Sequence, residues 1–370
     1  MNIAVNTRFL LKDRLEGIGR FSYEVLKRIV TSHPEHNFFF IFDRPYSEDF
    51  IFAKNITPVV VFPPARHAFL FVWWFEFSIP RILKLINADL FFSPDGYLSL
   101  RTKIPSVQVI HDLNFEHYPE YIPFLARHHY LHYFPKFAHK ARNIIAVSEY
   151  TKKDIVELYK ISPEKVTVAY NGVSDFFTPC TKDEILKTQK DYTGAKPYFF
   201  SVGSLHPRKN ICNLLLAFDT FRDKKSAEVK LLIAGEAYWW NNEMEKTYKN
   251  MRHREDVIFT GRIDNETLRR LYGSALALTY VSLFEGFGLP IAEAMCCNCP
   301  VICSNTTSMP EVGGDAALYI DPVSHESISN AMIKIFENQS LRTDMIEKGK
   351  KQKDKFSWDK TAEIVWESII

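Results

Sequence analysis

The chain has 370 residues, 46% of them hydrophobic and 24% charged, with a formal net charge of +2. That length exceeds one average core and predicts two domains, while the near balance of charge excludes a dedicated nucleic-acid binder. Phe at 30 and Tyr at 17 are plentiful, which suits aromatic cores or a surface that meets lipid or sugar.

Ile3-Ala-Val5 reads as a first strand. The chain enters it at once, with no charged stretch followed by an apolar one, so no signal peptide is read and the cytosol is the expected compartment. Gly17 and Gly19 then lie in the turn before an amphipathic helix, Phe21 to Val30. The third glycine of a dinucleotide fingerprint is missing, so an NAD site is not supported. Phe38 to Phe42 and Val59 to Phe62 are the next strands. Ala68 to Ile79 is the most apolar stretch, too short to span a bilayer and interrupted by Glu76. It reads as a partly buried helix, with a helix dipping into a membrane surface as the alternative. Strands follow at Ala88 to Ser93 and Ser106 to Ile110, the second ending in His111-Asp112. Helical sequence from Pro123 to His139 leads to a strand, Asn143 to Val147, and Ser148 is placed to cap the helix after it. Residues 171–196 lose periodicity and read as a linker. Strand and helix then alternate again: Pro197 to Val202 ends in a loop carrying Arg208 and Lys209, ahead of a helix from Ile211 to Phe221. Val229 to Ala234 ends in Gly235, and Val257 to Thr260 ends in Gly261-Arg262.

The richest stretch follows. Ala275 to Val281 is a short apolar run of strand length, and Ser282-Leu-Phe-Glu-Gly-Phe-Gly-Leu-Pro-Ile-Ala-Glu-Ala-Met295 joins it to a helix through a loop with two glycines. Pro290 suits the helix's first turn. A loop at a strand's carboxyl end, opening onto a helix N-terminus, is where open α/β sheets bind anions. Two acids flank it, Glu285 in the loop and Glu293 about a turn into the helix. A diphosphate on the helix end with carboxylates on either side fits a nucleotide sugar, since carboxylates accept hydrogen bonds from vicinal hydroxyls. The adjacent Arg208 and Lys209 suit a diphosphate, one by its planar fork and the other as a point charge. Cys296, Cys297, Cys299 and Cys303 cluster beyond the motif, but their spacing is not that of a zinc site and buried thiols are the better reading. Val301 to Ser304 is a strand, and helices fill residues 324–370.

Glu285 and Glu293, with G-F-G-L-P-I-A between them, resemble the Glu-x7-Glu motif of the retaining family 4 glycosyltransferases of the GT-B fold. The resemblance extends over nearly the whole chain, and H-D-L-N-F-E-H-Y-P-E after the fifth strand is similar to the mannosyltransferase-like branch. It implies an α/β, GT-B architecture of two facing Rossmann-like α/β/α domains with a cleft between them. Residues 1–175 would be the acceptor-side domain, 176–355 the nucleotide-sugar donor domain, and 356–370 a helix crossing back to the first. It also implies roles. Arg208 and Lys209 would neutralise the diphosphate and His111 would contact the donor sugar. Glu285 would hold sugar hydroxyls and Glu293 the ribose. The loop Gly286, Phe287, Gly288 and Leu289 would receive the donor, Gly17 and Gly19 would close over it, and Gly261 and Arg262 would lie beside the base.

The expected reaction is retaining transfer of a sugar, mannose by likeness, from a nucleotide diphosphate sugar such as GDP-mannose to a glycan or lipid-linked acceptor in cell-surface glycan synthesis. No Asp-x-Asp occurs, so no metal and no cofactor are expected. The partners are the donor, the acceptor and, as an open alternative, the inner membrane surface, with no nucleic acid. Two rivals remain: an epimerase of the same fold acting on nucleotide sugars, and a noncatalytic nucleotide-sugar-binding subunit.

Overall fold

The computed structural model describes every residue except 13, 14, 16, 66 and 67. Glu16, at the head of the first glycine turn, lies outside the described residues. The chain forms two compact units, one from Met1–Gly172 with Ser357–Ile370, the other from Val173–Phe356.

The first unit holds seven strands: β1 (Asn2–Asn6), β2 (Asn37–Phe42), β3 (Ile56–Val60), β4 (Leu90–Ser93), β5 (Ser106–Ile110), β6 (Asn143–Ala146) and β7 (Val166–Val168). They pair in parallel in the order β3-β2-β1-β4-β5-β6-β7. Parallel strands are covered on both faces and so read as continuous apolar runs, which is why Phe38 to Phe42 and Ser106 to Ile110 were legible. β3 ends before the expected Phe62. Pro63 and Pro64 follow and cannot donate to a ladder, and Phe62 is exposed. Pro58 is tolerated inside β3 because the strand is an edge.

The apolar stretch from Ala68 is helical to Leu85, with one wider turn at Trp74–Ser78. Trp74, Phe75, Ile79 and Leu83 are buried, whereas Phe69, Trp73 and Phe77 are exposed. Ser148 caps its helix, its hydroxyl accepting from Thr151 N at 3.0 Å. The last helix, Trp358–Ile369, packs in this same unit: Arg28 Nε meets Asp359 at 2.5 Å and Trp366 stacks on His33 at 3.8 Å. Only glycine fits at position 172, where a Cβ would stand 2.2 Å from Trp358 N.

The second unit holds β8 (Tyr198–Val202), β9 (Lys230–Ala234), β10 (Val257–Gly261), β11 (Ala277–Tyr280), β12 (Val301–Ser304) and β13 (Ala317–Ile320). They are parallel in the order β10-β9-β8-β11-β12-β13. Residues 171–196 are not an irregular linker throughout, because Lys182–Thr193 is a helix. Its apolar stripe is thin, and Leu186 is exposed, so periodicity hid it. A capping box starts it, Thr181 Oγ1 accepting from Glu184 N while Thr181 N donates to Glu184, and Gly194 at φ 62° ends it. Cys297, Cys299 and Cys303 are buried free thiols and Cys296 is partly exposed; burial pushes the Cys296 thiol up to about 11 and the Cys299 thiol to about 12.

Candidate functional site

Each sheet reverses its strand order once, and ligands of open α/β sheets bind outside the carboxyl ends at that point. In the second unit the reversal falls between β8 and β11. β8 runs into Gly203, then a short turn Pro207–Lys209 whose first N–H group, that of Arg208, is taken by His206 Nδ1 at 3.1 Å. Asn210, in the left-handed region at φ 60°, closes the turn. Its amide donates to the carbonyls of Val281 at 3.0 Å and Pro322 at 2.6 Å, which fastens this loop to the exits of β11 and β13.

Arg208 and Lys209 are thereby delivered to Glu285, which leaves β11. Arg208 Nη1 lies 2.9 Å from one carboxylate oxygen of Glu285 and Lys209 Nζ 2.6 Å from the other. Lys209 Nζ also donates to Tyr280 Oη at 2.8 Å, and Arg208 Nη1 to the Phe284 carbonyl at 2.5 Å. Burial would raise the Glu285 carboxyl, but the charges of Arg208 and then Lys209 outweigh it and bring it down to about 2. Burial and the neighbouring Glu285 carboxylate raise the Tyr280 phenol, which stays protonated. Two cations thus share one carboxylate, four residues ahead of the helix Leu289–Cys296.

The glycine loop between is held from the segment that follows β12. Thr307 Oγ1 accepts from Glu285 N at 3.2 Å, and Ser308 Oγ donates to the carbonyls of Glu285 and Phe287 at 2.9 and 2.8 Å. Gly286 is buried, and Gly288 adopts φ 103°, a conformation that a side chain would strain. Phe287 is itself buried, its ring edge-on to Phe356, and Leu289 opens the helix. Glu293 accepts from Tyr272 Oη at 3.0 Å. Two strands away, the Gly261 carbonyl accepts from Gly235 N at 2.9 Å and Arg262 lies 3.7 Å from Glu236. Gly235, Glu236, Tyr238, Trp240, Phe259 and Gly261 line a cavity of about 580 Å³ beside them.

In the first unit, Gly17 takes φ 47° just ahead of the helix Ile18–Ser32, and Gly19 is buried in its first turn. Phe21 of that helix meets the His111 ring edge-on at 5.1 Å. His111 Nε2 lies 2.8 Å from the Pro94 carbonyl, so that nitrogen carries the proton and donates. Burial lowers the imidazole below its ordinary 6.5, so it is neutral at pH 7.

Of the residues singled out from sequence, Arg208, Lys209 and Glu285 touch one another. Gly286, Phe287, Gly288 and Leu289 continue from Glu285, while Glu293 is engaged with Tyr272, and Gly261 and Arg262 border the aromatic cavity. Gly17, Gly19 and His111 belong to the first unit. Tyr280, Asn210, Thr307 and Ser308 were missed; the polar run Thr306-Thr307-Ser308 straight after a strand was the available signal. Among the described residues no three His, Cys, Asp or Glu side chains gather as a metal site.

Residues 182–352 match the family Glycosyl transferases group 1, and residues 16–175 match Glycosyltransferase Family 4. The chain is 29% identical over 364 residues to the O-antigen chain mannosyltransferase B of Escherichia coli, covering 94% of each chain. It is 28% identical over 228 residues to the O-antigen chain mannosyltransferase RfbU of Salmonella typhimurium, covering 61% of this chain and 59% of that one. Among solved structures, a glycosyltransferase from Rickettsia africae superposes with a TM-score of 0.75 at 18% identity, over 99% of this chain and 97% of that one. The HepE protein of Anabaena, solved with UDP and glucose, gives 0.75 at 16% identity, over 99% and 98%. Such distant structures establish the shared two-unit fold alone.

Proposed function

The chain belongs to the family 4 glycosyltransferases of GT-B fold, and on that premise we propose that it is a retaining, metal-independent hexosyltransferase using a nucleotide diphosphate sugar. The observation that carries this is the pair of cations, Arg208 and Lys209, closed on the single buried carboxylate of Glu285 at the second sheet's reversal point. Two cationic side chains brought to one place, one a planar fork and one a point charge, suit a dianionic leaving group. The helix start at Leu289 adds the positive end of its dipole.

In this reading the acceptor, bound by the first unit, attacks the sugar's C1 from the face the nucleotide leaves. The C1–O bond to phosphate breaks as the new glycosidic bond forms, and the acceptor's hydroxyl proton passes to the departing phosphate oxygen. Glu285 holds sugar hydroxyls, Glu293 the ribose, and neutral His111 a sugar oxygen as a hydrogen-bonding group rather than a charge. The base occupies the aromatic cavity at Gly261 and Arg262. Glu236 and Glu245 line that cavity, and carboxylates accept from guanine's ring N–H and amino group, which supports GDP-mannose as does the likeness to mannosyltransferases. The acceptor is a glycan or lipid-linked intermediate of cell-surface glycan synthesis, which the likeness to O-antigen mannosyltransferases supports.

A membrane contact for the first unit has its own support. Exposed Phe69, Trp73 and Phe77 recur every fourth residue, exposed Arg81 and Lys84 continue along the same helical stretch, and Arg101 lies over the Phe77 ring at 4.1 Å. Glu76 is turned to accept from Leu100 N at 3.0 Å. An aromatic stripe ending in cations suits an anionic lipid surface. No helix among the described residues is long and apolar enough to cross a membrane.

Incubation of the full chain with radiolabelled GDP-mannose and other nucleotide sugars, scored for transfer, epimer or hydrolysis, tests the reaction. An epimer without transfer, or binding without turnover, would favour the two rivals.

A further inference from the structure

The two units repeat one topological device. In the second, the loops leaving the first and fourth strands, β8 and β11, join Arg208 and Lys209 to Glu285. In the first unit the reversal lies between β1 and β4, again its first and fourth strands, and the loops leaving them join Arg8 to Asp95. Arg8 Nε donates to Asp95 Oδ2 at 2.5 Å, and the two side chains are only 8% and 1% exposed. Asp95 is fixed in turn: its Oδ1 accepts from Ser93 Oγ at 2.9 Å and Tyr97 N at 3.1 Å, and Ser93 Oγ accepts from Asn6 Nδ2 at 3.0 Å. The guanidinium is clamped between rings, with its carbon 4.4 Å from the centre of Phe71, 4.6 Å from Tyr97 and 4.7 Å from Phe9.

A cross-link alone does not account for this arrangement. Among the described residues Asp95 is the only hydrogen-bond partner of the guanidinium, through Nε, so the fork of terminal nitrogens is held rigid with its donors unspent. Burying an ion pair in that state is costly, and apolar residues of similar volume would hold the loops at least as well. Asp95 also sits one residue beyond Pro94, whose carbonyl orients His111, so the fork is built next to the group placed at the reacting sugar.

We infer that Arg8 is an acceptor-recognition residue and that its terminal N–H groups donate to hydroxyl oxygens of a neutral sugar at the acceptor's receiving end. Charge selects the ligand class. The second unit sets two cations against one carboxylate and suits a diphosphate, whereas here one cation meets one carboxylate. Burial keeps the nearby His111 and His129 uncharged. A locked, charge-balanced fork gives direction without net attraction for an anion.

This inference rests on the proposed transfer reaction, and the test separates the two. Methyl glycosides of mannose, galactose and N-acetylglucosamine serve as probes. With the full chain, Arg8→Gln should raise the acceptor KM by roughly tenfold or more, the loss expected for hydrogen bonds from a charged donor, while kcat at saturating acceptor falls much less. Arg8→Lys, which keeps stem and charge, should show the same split at smaller size. Donor-induced thermal stabilisation verifies that each variant is folded. On the unaltered chain, saturation-transfer NMR should detect one of the glycosides, and inorganic phosphate should not displace it. An unmoved acceptor KM, a fall in kcat alone, or displacement by phosphate would overturn the assignment. Glycoside binding without transfer from any donor would instead sink the reaction and leave the subsite standing.

Discussion

Replacing Lys209 by Met removes one of the two charges on Glu285 and keeps the stem's bulk. The Glu285 carboxyl stands at about 2 against an ordinary 4.5, a gap worth about 3 kcal/mol at 1.36 kcal/mol per unit. Arg208 supplies part of that and remains, so Lys209→Met should cost about 2 kcal/mol of stability near neutral pH, less than breaking a buried pair outright because the carboxylate keeps one cation. The sign follows from the depressed pKa. Glu285 stabilises the fold above pH 4.5 and loses that contribution as pH falls toward 2, so the variant's deficit should shrink in acid. Turnover should drop about a hundredfold, or about 3 kcal/mol, if Lys209 steadies the charge that grows on the leaving diphosphate. Urea unfolding and initial rates with radiolabelled donor measure the two effects. A cycle with Glu285→Gln distinguishes them, because neutralising the carboxylate removes the structural reason for Lys209. In that background Lys209→Met should recover most of its stability cost and still lower turnover strongly. If it costs no further turnover there, Lys209 only neutralises Glu285 and the diphosphate clamp is wrong.

Three further outcomes are expected. The first-formed product should keep the donor's anomeric configuration by NMR, and an inverted anomer would remove Glu285 and Glu293 from a retaining role. Activity should survive EDTA, because Arg208, Lys209 and the helix end supply the positive charge; loss restored by magnesium or manganese, with the fold intact, would contradict this. Since burial holds His111 neutral, kcat should carry no limb near pH 7 that His111→Gln abolishes, and finding one would show that its protonation matters to turnover.

The loop motifs were legible in the sequence because they are local. Strand, turn and helix succeed one another within a few residues, so Gly203 to Asn210, Gly261-Arg262 and the Glu285 to Glu293 stretch could each be placed at a strand's carboxyl end from pattern alone. Parallel strands buried on both faces also announce themselves as apolar runs, which made most of both sheets readable. The helix Lys182–Thr193 escaped because its apolar stripe is thin, although its capping box was there to be seen.

Strand order decided the rest. Arg208 meets Glu285, and Arg8 meets Asp95 across 87 residues, only because β8 pairs with β11 and β1 with β4, and no local pattern encodes which strands become neighbours. The environment of each charge followed from the same packing. Burial works against the Glu285 carboxylate, yet two cations from another loop bring it down to about 2, while burial without such help leaves His111 neutral. Residue type in the sequence fixes what each group can do; the charges and dielectric that packing assembles around it decide its protonation and its partners, because both act through distances that only the folded chain sets.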